Sequence, residues 1–344
     1  ILSSSESEVI KPLTIEEKIF QELNKLPIQY KGKPLGEDKS IDLFLDSIKK
    51  SKTQEGINLL KLWKEANSGG NQQVVFKPKW YSKYEVIEGP VYAGKDRYGS
   101  EIVGFYLSLI LKRYLTPISV ERKLSLKQDI VPAATKRLLD TIFERNNKTC
   151  VYGKCYFCKK EDPVCEDQNL LLTGAVIFNI NASLNSYRSP WQRTYKKGKK
   201  ALWQEYPESY CKTVKQKLTK KRLHDLIDTS IFDFLIQNGD RHHYETFGDT
   251  VIWLDNGKGL GNPNIHHLDI LAPLYQCCIL RRQTWQLLRS LTGGKLRERL
   301  ESMPDIGNII TEDHINAIEE RLLIIFATVE YCTHKQEENY LAAT

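Results

Sequence analysis

The stretches NGDRHHYE, residues 238–245, and LDNG, residues 254–257, decide the fold of this chain. An apolar stripe at helical spacing precedes the first stretch, and a short apolar run, residues 251–254, predicts a strand leading into the second. The helix brings Asp240 into a polar loop, and the strand brings Asp255 to where both carboxylates can face one cleft. Phosphoryl transfer needs this arrangement, because one carboxylate orients the acceptor hydroxyl and another holds the cation that neutralises the phosphates.

Each aspartate also has a simpler interpretation. Asp240 would cap a helix or pair with Arg241, and Asp255 would begin a turn at Asn256 and Gly257, which are common turn residues. In their helix–loop–strand order, however, the two carboxylates together favour a metal-assisted phosphotransferase.

The front half of the chain supplies further charged groups of such a site. An apolar run, residues 74–76, predicts a strand that ends at Lys77, where Pro78 limits further pairing. A helical pattern begins at Glu101, and Asp96 lies shortly before it, from where it could reach a metal. In kinases a strand lysine contacts the phosphates and a helix glutamate positions it. The alternative for Lys77 is a solvated strand end.

Composition sets broad limits on the class of protein. The chain has 344 residues, of which 41% are hydrophobic and 27% charged, and its formal net charge is +7. No run reaches the ~18 apolar residues of a membrane helix. Because the sequence begins at Ile1 rather than Met, we expect any targeting segment or membrane anchor to precede it. The complete P-loop pattern, G-x-x-x-x-G-K followed by serine or threonine, is absent.

Strand patterns lie in the front half beside one prominent helix, and helical patterns predominate in the back half. We therefore predict an α+β fold of two unequal lobes. The predicted parts are an N-terminal stem or lobe-wrapping segment at 1–50, an N-lobe at 51–180 with a cysteine-rich insertion at 147–168, and a C-lobe at 181–344 with a catalytic loop at 238–245 and a metal-binding segment at 254–257.

Eight cysteines indicate an oxidising compartment. The first four have the spacing C-x4-C-x2-C-x6-C, which lacks the matched C-x2-C knuckles of a zinc site and has no histidine nearby. The even number of all eight cysteines and the adjacent pair at 277–278 favour disulfides, although the spacing leaves the pairing open. Sequons at Asn147 and Asn181 predict glycosylation in the same compartment.

Two basic clusters occupy residues 193–200 and 215–222. One interpretation is a pair of solvated faces, and the other is attraction to an anionic partner such as a nucleotide, a sulfated glycan or an acidic protein. Trp191 and Trp203 flank the first cluster, where they would either stack on sugars or anchor the segment in the core.

At these motifs the chain resembles the secreted kinases of the family with sequence similarity twenty, which includes the Golgi casein kinase. The resemblance runs from Val74 to Cys332. It is carried by FKP at 76–78, CVYGKC at 150–155, GDRHHYE at 239–245, LDN at 254–256 and LYQCC at 274–278. Further segments resemble one branch of the family, which phosphorylates the 2-hydroxyl of xylose where a glycosaminoglycan joins its core protein; they are PVYAG at 90–94, YFC at 156–158, PW at 190–191 and LAPL at 271–274.

The resemblance implies an atypical bilobal kinase-like fold, stabilised by disulfides, that uses ATP with Mn(II), or Mg(II) as the alternative. Asp240 would be the catalytic base, and Asp96 and Asp255 would hold the metal. The implied nucleotide-binding residues are Lys77, Glu101, Glu245, Asp255 and a hinge of Phe178, Asn179, Ile180 and Asn181. The implied disulfides are Cys150–Cys165, Cys155–Cys158, and bonds from Cys211 and Cys332 to one each of Cys277 and Cys278.

The resemblance also implies a setting and a substrate. We expect the Golgi lumen, either with a type II anchor or in secreted form, and galactosyl-xylose on a core protein as the acceptor. A pseudokinase or a glycosyltransferase is the expected protein partner, and no nucleic acid is expected. The alternatives are a secreted serine kinase for acidic motifs and a pseudokinase activator, although the acidic ligands Asp96, Asp240 and Asp255 are all retained. Residues 97–101, RYGSE, depart from the Arg-His-Asn-Ala-Glu of relatives.

Overall fold

The structure is a computed structural model that describes residues 74–343 apart from 156–157, 181 and 197, with side chains described as far as Lys335. The predicted stem at 1–50 and the first part of the predicted N-lobe, residues 51–73, lie outside the described residues. So does Asn181, which is predicted both as a hinge residue and as a glycosylation site.

The described residues form three antiparallel sheets. The strand orders are β1-β6-β2, β3-β4-β5 and β7-β8-β9. The strands are β1 Val74–Pro78, β2 Ser119–Leu124, β3 Ile142–Arg145, β4 Lys148–Val151, β5 Val164–Cys165, β6 Leu172–Phe178, β7 Asn185–Arg188, β8 His243–Phe247 and β9 Thr250–Ile252. The first sheet belongs to the N-lobe, the second to the cysteine-rich insertion and the third to the C-lobe.

Helices make up most of the C-lobe. The α-helices are α1 Tyr98–Ile110, α2 Lys136–Leu139, α3 Leu202–Glu205, α4 Tyr210–Lys217, α5 Lys220–Ile236, α6 Ala272–Cys277, α7 Arg282–Ser290, α8 Lys295–Glu301, α9 Ile306–Ile309 and α10 Glu312–Ala343. Short π and 3-10 turns occupy Leu126–Ile130, Val131–Ala133 and Leu268–Leu271. Among the described residues, no helix combines the length and apolar character of a membrane span.

The N-lobe sheet holds Lys77 near the end of an edge strand. Val74, Val75 and Phe76 favour the extended conformation, and their strand β1 pairs with β6 so that Lys77 lies opposite Ala175. The strand runs one residue beyond its predicted end, because Pro78 lies on an edge strand that can accommodate proline.

Helix α1 lies between this sheet and the C-lobe, and all of its residues are buried. Its first residue is fixed by a hydrogen bond from the Tyr98 hydroxyl to Glu121 Oε2 of β2 at 2.8 Å. On the C-lobe side, the Tyr106 hydroxyl donates to the Pro304 carbonyl at 3.1 Å. The helix, and with it Glu101 of its first turn, is therefore held by both lobes.

The cysteine-rich insertion is a small sheet closed by the Cys150–Cys165 and Cys155–Cys158 disulfides. Asn146 and Asn147 form the turn between β3 and β4 with φ of 52° and 57°, a left-handed conformation that asparagine tolerates well. An apolar cluster of Leu126, Val151 and Leu172 packs the insertion against the N-lobe sheet.

The C-lobe is built around α5, most of which is buried. The Thr219 hydroxyl caps its start by accepting a hydrogen bond from the Arg222 N–H at 3.2 Å. Gln237, with φ of 60°, ends the helix in the left-handed conformation and turns the chain into the Asp240 loop.

Two disulfides tie other helices to α6. Cys211 of α4 bonds to Cys277, and Cys278 bonds to Cys332 of α10. Cys278 ends α6 with φ of 50°, so consecutive cysteines reach different helices. The structure thus contains the implied pairs and assigns the partners that the sequence left open.

Two predictions near the Asp240 loop are wrong. The segment predicted as a loop at 238–245 is a loop only in its first part, because β8 includes residues 243–247 and buries alternate side chains, among them Tyr244. The strand predicted at 251–254 ends at Ile252, because the Trp253 N–H donates to the Leu115 carbonyl at 2.8 Å instead of to the sheet.

Candidate active site

Lys77 lies at the centre of three carboxylates. Its Nζ is 2.7 Å from Asp96 Oδ2, 2.7 Å from Glu101 Oε1 and 2.6 Å from Asp255 Oδ1. The lysine is on β1, Asp96 precedes α1, Glu101 is in the first turn of α1, and Asp255 follows β9. The fold therefore brings together these four residues, which the sequence predicts for nucleotide or metal binding.

The environments of these groups differ in a way that fits different roles. The Glu101 side chain is 3% exposed, whereas that of Asp255 is 75% exposed. Burial by itself would lower the pKa of Lys77, but the carboxylates of Glu101, Asp255 and Asp96 outweigh it and raise that pKa. Burial disfavours the charged form of Asp96, yet the Lys77 ammonium lowers its pKa. Lys77 thus stays charged among anions.

The donor set fits a hard divalent cation. One oxygen each of Asp96, Glu101 and Asp255 lies within 4.8 Å of the others. Lys258 approaches the same cluster, with its Nζ 3.4 Å from Asp96 Oδ1. Carboxylate oxygens are the ligands that Mn(II) and Mg(II) prefer, and Asp96 and Asp255 are the more accessible pair.

The segment after Asp255 lies directly against Asp96. Asp255 has φ of 53°, a left-handed conformation that aspartate adopts more readily than most residues. The Arg97 N–H donates to the Gly257 carbonyl at 2.7 Å. A Cβ at Gly257 would lie 2.8 Å from the Asp96 carboxyl carbon, so only glycine lets the two segments meet this closely.

Asn238 links the loop of Asp240 to the segment of Asp255. Its side-chain oxygen accepts a hydrogen bond from the Asp240 N–H at 3.3 Å, and its Nδ2 donates to the Asp255 carbonyl at 3.3 Å. The loop is also joined to α5, because the Asn238 N–H donates to the Asp233 carbonyl at 2.7 Å. Asp240 and Asp255 therefore lie on segments that are joined by hydrogen bonds.

Arg241 reinforces this link from the buried side. It donates to both oxygens of Asp233, at 2.9 and 2.7 Å, to Asn256 Oδ1 at 2.8 Å and to the Leu254 carbonyl. Burial by itself would lower the pKa of Arg241, but the Asp233 carboxylate outweighs it and raises that pKa. The partner of Arg241 is thus Asp233, and the simple interpretation of Asp240 as its ion-pair partner is wrong.

Tyr195 contacts the side chain of Asp240 directly. Its hydroxyl donates to Asp240 Oδ1, and burial followed by this hydrogen bond raises the pKa of Tyr195, which keeps the donor protonated. The ring packs edge-to-face on Tyr92, with centroids 5.0 Å apart. His242 Nδ1 is 3.7 Å from the same oxygen of Asp240.

Two neighbouring segments cover the Asp240 loop. A Cβ at Gly239 would lie 2.1 Å from Val91 Cγ1, so the segment of Val91 and Tyr92 rests on the loop backbone. From the other side, Arg193 Nε donates to the Gly239 carbonyl at 3.1 Å. A narrow cavity of about 60 Å³ remains beside Asp240 and is lined in part by Arg193 and Tyr195.

Trp191 and Trp203 are anchors of this region. Both indole rings are buried, and their N–H groups donate to Gln276 Oε1 and to the Gln192 carbonyl, each at 2.9 Å. The interpretation of these residues as sugar-stacking surfaces is therefore not supported by their position.

The remaining predicted nucleotide contacts are Glu245, Phe178 and the residues that follow β6. Glu245 lies on β8 and accepts a hydrogen bond from the Ser186 hydroxyl at 3.2 Å. The Phe178 N–H is already bonded to the Ile118 carbonyl at 2.9 Å, and Asn179 and Ile180 follow, half-buried, after β6. The roles of Glu245 and of these hinge residues stay predictions.

A second, larger cavity of about 640 Å³ opens beside Lys77 and extends beneath the insertion. Asp96 and Lys258 line its polar end, and Phe76 and Leu172 are part of its apolar wall. Its volume lies within the range of small-molecule sites.

Sequence reasoning missed Asn238, Arg241 and Tyr195. The first two stand beside Asp240 in the quoted motif, and that adjacency was the available signal. Tyr195 lies in the first basic cluster, far from Asp240 along the chain, where only the mixture of aromatic and basic residues hinted at a site.

The chain is similar in sequence to a known protein family. The sequence model of the family described as "Golgi casein kinase, C-terminal, Fam20" matches residues 15–341. The "Glycosaminoglycan xylosylkinase homolog" of Drosophila melanogaster is 47% identical over 269 residues, which cover 76% of this chain and 64% of that protein. The chain thus spans slightly less than two thirds of the length of this relative.

Two solved structures share the fold. "The structure of hydra Fam20 with sugar" has a TM-score of 0.72 and 40% identity and covers 79% of this chain and 82% of its own. The "crystal structure of the Golgi casein kinase with Mn/ADP bound" has a TM-score of 0.68 and 30% identity and covers 77% and 68%. The predicted kinase-like α+β fold is confirmed, and the chain belongs to the Fam20 family.

Proposed function

We propose that this protein is an ATP-dependent kinase that phosphorylates the 2-hydroxyl of xylose in the glycosaminoglycan–protein linkage region. The observation that carries the proposal is the Lys77 cluster, in which three carboxylates from separate elements surround one lysine, joined through Asn238 to Asp240. The choice of sugar rests on similarity to the xylosylkinase homolog and to the sugar-bound hydra structure.

Each charged residue takes one role in this proposal. Lys77 binds the phosphates of ATP and Glu101 holds its ammonium in place. Asp96 and Asp255 hold Mn(II), the metal of the similar Golgi casein kinase structure, which would neutralise charge on the phosphates. Asp240 accepts the proton of the acceptor hydroxyl. At the same time the hydroxyl oxygen forms a bond to the γ-phosphorus of ATP, and the bond between that phosphorus and the leaving ADP breaks.

The lumen of the secretory pathway is the proposed location, with the Golgi as the specific compartment. Four disulfides support an oxidising environment, and no described cysteine is free. Asn147 supports it too, because this sequon asparagine lies exposed in the turn between β3 and β4, where a glycosyltransferase could reach it. The expected pseudokinase or glycosyltransferase partner stays a prediction.

The test is a choice of acceptors. Protein secreted from an oxidising host is incubated with labelled ATP, Mn(II) and either a galactosyl-xyloside or an acidic serine peptide. We expect label on the sugar, and we expect Asp240→Asn to abolish it. Label on the peptide alone would contradict the proposal and favour a serine kinase, and label on neither would favour a pseudokinase.

A further inference from the structure

The basic loop, defined by Lys196, Lys199 and Lys200, carries cations whose side chains form no described contact with the rest of the fold. Lys196, Lys199 and Lys200 are exposed, and among the described residues their side chains form no ion pair. Lys197 lies outside the described residues. Arg193, from the same cluster in the sequence, differs because it is bonded to Asp269 and to the Gly239 carbonyl.

Both ends of the basic loop are fixed beside the catalytic loop. The loop follows directly after Tyr195, whose hydroxyl donates to Asp240. At its other end Trp203 is buried, and its N–H donates to the Gln192 carbonyl at 2.9 Å. The exposed lysines therefore lie between two residues, Tyr195 and Trp203, that line the same cavity as Asp240, whereas the phosphate-binding Lys77 contacts a different set of carboxylates.

The chemistry of the proposed acceptor places peptide at this position. The 2-hydroxyl of xylose is on the carbon next to the one that bonds to the serine oxygen. When this hydroxyl is held at Asp240, the serine therefore lies close to the aspartate. An extended peptide advances ~3.3 Å per residue, so the nearest neighbours of the serine come within reach of the basic loop.

We propose that the basic loop binds acidic side chains that flank the xylosylated serine of the acceptor. This inference rests on the proposed function, because the acidic side chains in question flank a serine that already carries xylose. Exposed ion pairs contribute little individually and are screened by salt, so the loop sets a preference among acceptors and leaves the chemical step unchanged.

The test compares three acceptors that carry the same galactosyl-xylose: a peptide with acidic residues beside the serine, the same peptide with glutamine in their place, and a glycoside without peptide. The variant is Lys196→Gln, Lys199→Gln and Lys200→Gln together. Its control is Lys123→Gln, Lys136→Gln and Arg137→Gln, which removes three exposed charges from the N-lobe. Thermal unfolding checks that both variants are folded.

We expect the loop variant to raise KM for the acidic peptide roughly three- to tenfold and to leave kcat unchanged. Its KM values for the other two acceptors should equal those of wild type, and the control variant should match wild type for all three acceptors. The wild-type preference for the acidic peptide should disappear at high salt. Equal effects of the variant on all three acceptors, or equal effects of the two variants, would overturn the inference while leaving the sugar activity standing. Wild-type protein that phosphorylates none of the glycosylated acceptors would instead overturn both proposals.

Discussion

Arg241 shows how much of the site depends on one buried side chain. Its guanidinium joins α5, through Asp233, to the segment that carries Asp255, through Asn256 and the Leu254 carbonyl. A planar group with several donors can serve all of these acceptors at once, and a lysine ammonium cannot match that geometry. Asp240 and Asp255 therefore keep their relative positions through a residue that carries none of the chemistry itself.

Replacement of Arg241 by methionine should destabilise the fold by about 3–5 kcal/mol, because it leaves the Asp233 carboxylate buried without a cation. Adding Asp233→Asn should recover much of that loss, since no buried charge then remains. Chemical denaturation of the two single variants and the double variant measures this coupling. A double variant as unstable as the sum of the singles would show that the pair is not the source of the effect.

Tyr195 offers a test at the acceptor side. Tyr195→Phe keeps the ring against Tyr92 but removes the hydroxyl that holds Asp240 Oδ1. We expect kcat to fall about tenfold with KM for ATP unchanged, because the carboxylate loses a fixed orientation. Tyr206→Phe, at an exposed tyrosine that ends α3, is the control and should leave kcat unchanged. Similar kcat values for the two variants would rule out this role.

At the scale of elements, the glycine-rich segment 257–261 is explained by packing. Its spacing superficially resembles a dinucleotide-binding loop, but the segment lies against the residues that precede α1. Arg97 fixes it by donating from Nε to the Gly259 carbonyl at 2.6 Å. The contact sets the distance between Asp96 and Asp255, which lie on opposite sides of it.

Gly257→Ala should therefore weaken the metal site without unfolding the protein, because the added methyl group would displace the Asp96 carboxylate. We expect the Mn(II) concentration for half-maximal activity to rise by roughly tenfold. Electron paramagnetic resonance of bound Mn(II) provides a reading independent of activity. Gly307→Ala is the control, since outside its chain neighbours and the backbone of its own helix no described atom lies within 4 Å of its added Cβ. Equal Mn(II) affinity in the two variants would refute the argument.

The sequence predicted those elements whose pattern follows from burial. The apolar stripe of α5 and the apolar runs of β1 and β9 indicated both the type and the approximate position of these elements. Strand β8 was missed because it is half-buried and begins with the polar residues His243, Tyr244 and Glu245, which mimic a loop. Tyr195 was missed because its contact with Asp240 depends on tertiary folding, which local periodicity does not encode.

At the scale of the whole molecule, the Lys77 cluster joins the two lobes. Lys77 belongs to the N-lobe sheet, whereas Asp255 follows the last strand of the C-lobe sheet, and their side chains are 2.6 Å apart. A nucleotide and a metal that bind there contact both lobes. They should therefore stabilise the native protein as a unit, in proportion to their affinity for it.

ADP with Mn(II) should raise the midpoint of thermal unfolding by about 5 °C at a hundredfold excess over Kd. Asp255→Asn should remove most of this shift, because it takes away one proposed metal ligand. Differential scanning fluorimetry with ADP alone, Mn(II) alone and both together measures the contributions. A shift that is the same in wild type and in Asp255→Asn would place the metal elsewhere.

The adjacent cysteines of α6 have a consequence for producing the protein. Cys211 lies 66 residues from its partner Cys277, and Cys332 lies 54 residues from its partner Cys278. Because Cys277 and Cys278 are adjacent, exchanging them barely changes the length of either disulfide loop, and in the unfolded chain the two pairings cost almost the same entropy. Oxidation before α4 and α10 dock can exchange the partners and still consume every thiol. A titration of free thiols finds none in either the native or the exchanged form and therefore does not distinguish them. The quality of a preparation has to be judged by mapping which peptides are crosslinked.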